Sequence, residues 1–132
     1  MNEKKMSGYE TEMLLVKVLT DLGYVVNQEP QSIASNIRSR FDMIIEKDDD
    51  KFVVEIKKGF LGVEHFRNLL AHKECFDEYI NLGYKVLLIC DKDKVDKRLI
   101  NNLEKMDVII WDINKIIETQ KELYSLPKNI KE

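Results

Sequence analysis

Residues 41–57 read FDMIIEKDDDKFVVEIK, two apolar runs separated by three aspartates. Turn-forming residues between two strand-like runs predict a β-hairpin with strands at 41–47 and 51–57. If Met43 lies opposite Val54, the alternate apolar side chains gather on one face, and a slip of one residue would oppose apolar to polar side chains. The predicted core face consists of Phe41, Met43, Ile45, Phe52, Val54 and Ile56.

The same register sets Asp42 opposite Glu55 on the other face of the hairpin. Directly opposed Cβ atoms lie roughly 4.5–5.5 Å apart, so two ionised carboxylates there repel each other. A divalent cation would remove that repulsion, because hard cations bind carboxylate oxygens, and the carbonyl of Ile56 could add a ligand. With Lys57 holding or polarising a water, this group suits metal-assisted hydrolysis of a phosphodiester. The alternative is a solvated face with a surface ion pair between Lys57 and one of the acids, which contributes little to stability.

A third acid, Glu12, lies in the first predicted helix, which has Ser7 as its N-cap and Gly23 just past its end. Glu12 shares the apolar helical stripe of Leu15, Val16 and Leu19, so we expect it to point toward the sheet. A buried carboxylate needs a partner. Because Asp42 and Glu55 are expected nearby, Glu12 could be part of a metal site with them. The alternative is a glutamate placed at the helix start by the helix dipole.

The remaining periodicity predicts an α/β fold. Strands are expected at 24–28, 84–90 and 108–111, helices at 63–82, 95–105 and 114–124, and a loop at 30–40. The order αβββαβαβα favours a mixed central sheet flanked by helices.

Composition limits the classes of function. The chain has 132 residues, 21 Lys plus Arg and 24 Asp plus Glu, for a net charge of −3. This predicts a single domain over 1–132, with a core at about 7–117 and a C-terminal helix and tail at 114–132. No apolar run suits a membrane span or a signal peptide, so a cytoplasmic protein without membrane association is expected. Cys75 and Cys90 form no CxxC pair, and the mild acidity excludes a protein that coats nucleic acid by charge alone.

Together these residues resemble the PD-(D/E)xK nuclease superfamily, which has the restriction-endonuclease-like fold. The matching pieces are GYETE at 8–12, Phe41-Asp42 at the start of one strand and Glu55-Ile56-Lys57 at the end of the next. The chain looks closest to the catalytic domains of type IV restriction endonucleases, and is similar to archaeal Holliday-junction resolvases in size and in the spacing of 8–12. The resemblance covers roughly 7–117 and implies an αβββαβ core.

The resemblance implies an Mg²⁺-dependent endonuclease acting on DNA rather than RNA, with Mn²⁺ as a substitute. Asp42 and Glu55 would be metal ligands, together with the carbonyl of Ile56. Lys57 would orient or activate the attacking water, and Glu12 would support the metal site directly or through water. Two features depart from the relatives. Type IV domains usually have glycine just before the aspartate strand, where this chain has Arg38-Ser39-Arg40-Phe41. Junction resolvases are typically basic, whereas this chain has a net charge of −3.

Several positively charged and polar residues around this site are candidates for phosphate contacts: Arg38, Ser39, Arg40, Lys58 and Arg67. Acidic and basic residues balance in this region, so ordinary surface charge is the alternative reading. His65 and His72 share one stripe of the helix predicted at 63–82, where packing at its edge is favoured over proton transfer.

Two alternatives to a DNA endonuclease stay open. One is a catalytically inactive module of the same fold that binds nucleic acid or serves as a subunit; the other is a Holliday-junction resolvase. A domain of this size has no room for separate sequence recognition, which predicts a homodimer or a subunit of a larger complex.

Overall fold

The centre of the computed structural model, which describes residues 8–28, 41–62, 64 and 73–125, is a mixed β-sheet. Strands β1 to β3 pair antiparallel, whereas β3, β4 and β5 run parallel, and the strands lie side by side in chain order. The strands are β1 (Val25–Asn27), β2 (Met43–Lys47), β3 (Asp50–Lys57), β4 (Lys85–Cys90) and β5 (Val108–Asp112). The predicted α/β class and mixed sheet are confirmed.

Helices cover both faces of this sheet. The helices are α1 (Gly8–Asp21), α2 (Lys73–Asn81), α3 (Lys97–Lys105) and α4 (Ile113–Ser125), and a short 3₁₀ helix spans Lys92–Lys94. One core joins α1 and α4 to the sheet, and a second core joins α2 and α3 to the opposite face. Of the helix predicted at 63–82, residues 63–72 other than Glu64 lie outside the described residues, and so does the whole loop predicted at 30–40. In the part of the chain that is described, no helix is both long and apolar enough to cross a membrane.

The hairpin of β2 and β3 has the predicted register, with Met43 opposite Val54 and Ile45 opposite Phe52. The prediction for Phe41 is wrong: its ring packs against Phe76 and Tyr79 in the core under α2 and α3, on the opposite face from Met43. The strand begins only at Met43, so Phe41 lies outside the two-residue alternation that set its predicted direction.

The second face of the hairpin is buried rather than solvated. Ile44 and Val53 alternate with the predicted core residues and pack under α2 and α3. Because β3 lies between β2 and β4, both of its faces receive a helical layer. Glu55 therefore enters a partly buried environment, which changes the chemistry of its carboxyl group.

Polar contacts join α1 to α4 at one end of the molecule. The Asp21 carboxylate accepts hydrogen bonds from the Tyr124 hydroxyl at 2.6 Å and from the Gln120 amide at 2.7 Å. Lys17 adds an ion pair to the same oxygen at 3.2 Å. These bonds, led by that from Tyr124, hold the pKa of Asp21 below its usual value.

We expect Asp21→Ala to lower the melting temperature at neutral pH and to lose that effect in acid. A depressed folded-state pKa means that the stabilisation is present above the unfolded pKa, near 3.8, and is lost as pH falls through the lower folded value. Melting curves at pH 7 and at about pH 3 measure the difference. Glu118→Ala, which removes an exposed carboxylate from α4, is the control. Equal melting temperatures for the two variants at pH 7 would show that Asp21 does not join the helices.

Candidate functional site

Where the backbone pairing of the hairpin ends, the Asp42 side chain accepts a hydrogen bond that a backbone carbonyl would accept in a regular ladder. The last regular pair is Met43 with Val54, and the N–H of Asp42 donates to the Val54 carbonyl at 2.9 Å. Beyond that point Asp42 Oδ2 accepts the backbone N–H of Ile56 at 2.7 Å. The carboxylate is therefore fixed by β3 itself, within one residue of Glu55.

The carboxyl group of Glu55 lies against the Asp42 carboxylate and has a raised pKa. Burial raises its pKa first, and the hydrogen bond to Asp42 and the negative charge of Asp42 raise it further, to about 8. The positive charge of Lys57 acts in the opposite direction but is outweighed. The Glu55 carboxyl group therefore ionises less readily than that of an exposed glutamate, and it is hydrogen-bonded to Asp42. As predicted, the side chains of Asp42 and Glu55 lie next to each other.

A pocket opens from Asp42 toward the first turns of α1. Its volume is about 160 Å³. One wall is α1, the other is the end of the hairpin, and the lining residues are Gly8, Thr11, Glu12, Asp42, Ile56 and Lys58. Glu12 is half-buried there, and Thr11 beside it is 3% exposed. The expectation that Glu12 points toward the sheet near Asp42 agrees with this geometry.

Asp42 lies between the other two acids. Glu12 approaches from the α1 face of the sheet, whereas Glu55 alternates with Val54 and Ile56 and so points to the α2 face. Among the described residues, no three His, Cys, Asp or Glu side chains come close enough together to form a metal cluster. The acids thus meet at Asp42 from two sides and do not surround one point.

The two lysines after Glu55 have different positions. Lys57 is exposed and close enough to Glu55 for its charge to act there, yet it makes no ion pair with either hairpin acid in the described structure. Lys58 is also exposed and lines the pocket with Glu12 and Asp42. Lys57 therefore lies on the Glu55 side of the site and Lys58 on the Glu12 side.

Most of the predicted phosphate contacts fall outside the described residues. This holds for Arg38, Ser39, Arg40 and Arg67, and for the histidines His65 and His72. Lys58 is the member of the predicted set that the structure places at the pocket.

Two exposed aromatic residues that are close in sequence to pocket residues were not singled out by the sequence reasoning. Tyr9 is 72% exposed on α1, next to the pocket residue Gly8, and Phe60 is 73% exposed two residues after Lys58. A signal was present: each ring stands among glycines and charged residues, in GYE and in KKGFLG, where no apolar stripe explains it.

Comparisons with known proteins support the fold. No family model matches the sequence, and no curated protein matches it either. A solved structure titled as protein of unknown function AF1548 has a TM-score of 0.65 at 10% identity, over 91% of this chain and 72% of that one. A repair endonuclease from Pyrococcus abyssi has a TM-score of 0.61 at 13% identity, over 86% of this chain.

These likenesses concern the backbone. At such low identity they show a shared restriction-endonuclease-like arrangement of a mixed five-stranded sheet flanked by helices. This chain spans 49% of the length of the repair endonuclease. The comparisons therefore show the fold alone, and any activity has to be argued from the site.

Proposed function

We propose that this chain is a metal-dependent endonuclease that hydrolyses phosphodiester bonds of DNA, with Mg²⁺ as its cofactor and Mn²⁺ as a substitute. The observation that carries the proposal is the Asp42–Glu55 pair, in which a partly buried glutamate is hydrogen-bonded to an adjacent carboxyl group and has a raised pKa. Such a pair costs stability when both groups ionise, and strongly perturbed carboxyls cluster at functional sites. The repair-endonuclease likeness of the fold supports the same reading.

The donor set fits a hard divalent cation. Mg²⁺ is commonly held by one or two carboxylates while it keeps several waters, so a cluster of three acidic side chains is not required. Asp42 and Glu55 would be the direct ligands with the Ile56 carbonyl, and Glu12 would act from the α1 wall, directly or through water. A cation there supplies an activated water and stabilises the negative charge that develops on the phosphoryl oxygens.

The chain's own residues supply positioning and proton control. The N–H of Ile56 fixes Asp42, so the carboxylate needs no rearrangement before it binds. Lys57, on the side of Glu55, would hold or polarise the attacking water, as the resemblance implies. Lys58, on the side of Glu12, would contact a phosphate of the strand.

An inactive nucleic-acid-binding or subunit module is the second candidate. It is favoured because the polar groups of the site already have partners: Asp42 accepts the Ile56 N–H and is hydrogen-bonded to Glu55. In the described residues, no buried side-chain nitrogen or oxygen lacks a hydrogen-bond partner. The site is thus stable without a cation, as a structural carboxyl pair would also be.

Cleavage by matched lysine variants tests the endonuclease. Wild-type protein should cut plasmid DNA with Mg²⁺ or Mn²⁺ and not with EDTA. We expect Lys57→Met to lower kcat by about 100-fold or more, because loss of a positioned proton-transfer or water-orienting group has an effect of that order. Lys58→Met should mainly raise KM, since a phosphate contact contributes to binding.

The outcomes separate the two candidates. DNA binding without cutting, together with no change in melting temperature on adding Mg²⁺ or Mn²⁺, would favour the inactive module. A large kcat loss in Lys58→Met with none in Lys57→Met would transfer the catalytic role to the lysine in the pocket.

A further inference from the structure

A second cavity is lined by residues of α1, β5 and α4. Its volume is about 460 Å³, against about 160 Å³ for the pocket beside Asp42, and the two share no lining residue. Clefts that hold small organic ligands in proteins measure about 300–1,000 Å³, so this cavity has the size of a ligand site. We call it the Trp111 cavity, and its lining includes Leu19, Tyr24, Lys92, Trp111, Lys115 and Thr119.

One part of the lining is apolar and aromatic. Leu19 and Ile116 line the cavity and belong to the core that joins α1 and α4 to the sheet. The rings of Tyr24 and Trp111 meet edge to face with their centroids 6.0 Å apart, and both side chains are half-buried. Aromatic rings pack favourably on one another in edge-on or offset geometry. This part of the cavity therefore suits a flat ring.

The other part of the lining is charged. Lys92 and Lys115 are exposed, and neither makes an ion pair with any residue that the structure describes. The lining acid, Asp112, is already engaged, because its Oδ1 accepts the N–H of Asn114 at 3.2 Å. Two lysines thus face one aspartate in the cavity, and this balance favours a ligand that carries negative charge.

The charged residues come from one edge of the sheet. Lys92 follows β4, Asp112 is the last residue of β5, and β4 and β5 run parallel. Lys115 lies in the first turn of α4, whose positive dipole end also favours an anion. In open sheets with parallel strands, ligands bind outside the carboxyl ends of the strands. The place of the two lysines in the fold agrees with this rule.

We propose that the Trp111 cavity binds a small organic anion with an aromatic ring. The ring packs against Trp111 and Tyr24, and the anionic group lies between Lys92 and Lys115. Aromatic carboxylates and nucleoside monophosphates share this chemistry. The site is separate from the pocket beside Asp42 and does not depend on the proposed endonuclease function.

Binding of anilinonaphthalene sulfonate in EDTA tests the proposal without the metal site. This probe is a fluorescent aromatic anion. Trp111 is the single tryptophan of the chain, so energy transfer from tryptophan to the bound probe reports on this cavity. We expect a Kd of roughly 10–100 µM, as for a ligand of this size. Absence of energy transfer over this concentration range would overturn the proposal.

Substitutions at exposed lining residues locate the bound probe. Thr119→Phe adds a ring to the lining and should weaken binding about 10-fold or more by occupying the cavity. Lys92→Gln and Lys115→Gln should each weaken binding about 2- to 5-fold, as expected for loss of one exposed charge pair. Lys121→Gln, an exposed change on α4 outside the lining, is the control and should leave the Kd unchanged. Melting curves verify that each variant is folded.

Displacement of the probe identifies the chemistry of the ligand. Naphthoate should displace the probe at a concentration several-fold lower than naphthyl methanol, which has the same rings without the charge. Equal displacement by the two, or an unchanged Kd in Thr119→Phe and in both lysine variants, would overturn the proposal. Displacement by dAMP as well would assign the site to nucleotides, whereas displacement by naphthoate alone would assign it to aromatic carboxylates.

A variant of the hairpin acids separates this site from the proposed function. Asp42→Asn should bind the probe as wild type does, whether or not the protein cuts DNA. Probe binding by a protein without metal-dependent cleavage would support the Trp111 cavity and refute the endonuclease. Cleavage without probe binding would support the endonuclease and refute the cavity as an anion site.

Discussion

Asp42→Asn should lower metal-dependent DNA cleavage by about 1,000-fold or more while the fold is retained. The substitution removes one negative charge, and a metal site that stabilises transition-state charge depends on its anionic ligands for several kcal/mol. The amide oxygen of asparagine can still accept the Ile56 N–H that Asp42 accepts at 2.7 Å. Activity measured under single-turnover conditions, together with a melting curve, gives both readouts.

Asp42→Ala separates the contribution of Asp42 to stability from its contribution to cleavage. Alanine leaves the Ile56 N–H without its acceptor, which costs about 1–3 kcal/mol when a buried donor is left unsatisfied. We therefore expect both variants to be inactive, but the alanine variant to melt at a lower temperature. Asp49→Asn, a change to an exposed carboxylate in the hairpin turn, is the matched control and should cut normally. Cleavage at the wild-type rate by Asp42→Asn would refute the assignment of Asp42 as a metal ligand.

The hairpin register was predictable because it depends on a local rule. Side chains alternate along a strand, so opposing Met43 to Val54 fixes every other pair, including the approach of Asp42 to Glu55. The prediction for Phe41 was wrong because it extended this rule beyond the end of the strand. Alternation holds only inside a strand, and the backbone leaves the ladder one residue after Phe41, where Asp42 bonds to Val54.

The burial of Glu55 depends on contacts that are distant in the sequence. A solvated face was the alternative interpretation of Asp42, Glu55 and Lys57 in the sequence, whereas α2 and α3 pack against this face of the sheet in the structure. The position of Lys58 in the pocket likewise depends on how α1 packs beside the hairpin end. The local pattern thus predicted that Asp42 and Glu55 meet, whereas tertiary packing raises the pKa of Glu55 and places Lys58 in the pocket with Glu12.

The ionisation of Glu55 leads to a prediction for stability. A carboxyl whose pKa is raised from 4.5 to about 8 in the folded chain binds an extra proton between those values. The free energy of unfolding should therefore fall as pH rises through that range, because the unfolded chain binds fewer protons there. The contribution is complete below the unfolded pKa and is lost as pH passes the folded one.

Glu55→Gln should remove this pH dependence and raise stability in mild alkali while it abolishes cleavage. The glutamine amide can donate to Asp42 as the protonated glutamate does, and it never ionises. At about pH 9 we expect the variant to be the more stable protein, with a higher Tm, and near pH 5 the difference should be small. Gain of stability with loss of function at one residue is typical of groups kept for chemistry. Chemical denaturation of both proteins from pH 5 to 9 measures the difference, with Glu46→Gln, a change to an exposed carboxylate near the end of β2, as the control. Parallel pH profiles for wild type and Glu55→Gln would mean that Glu55 ionises normally, and the case for a charge-strained cation site would fail with it.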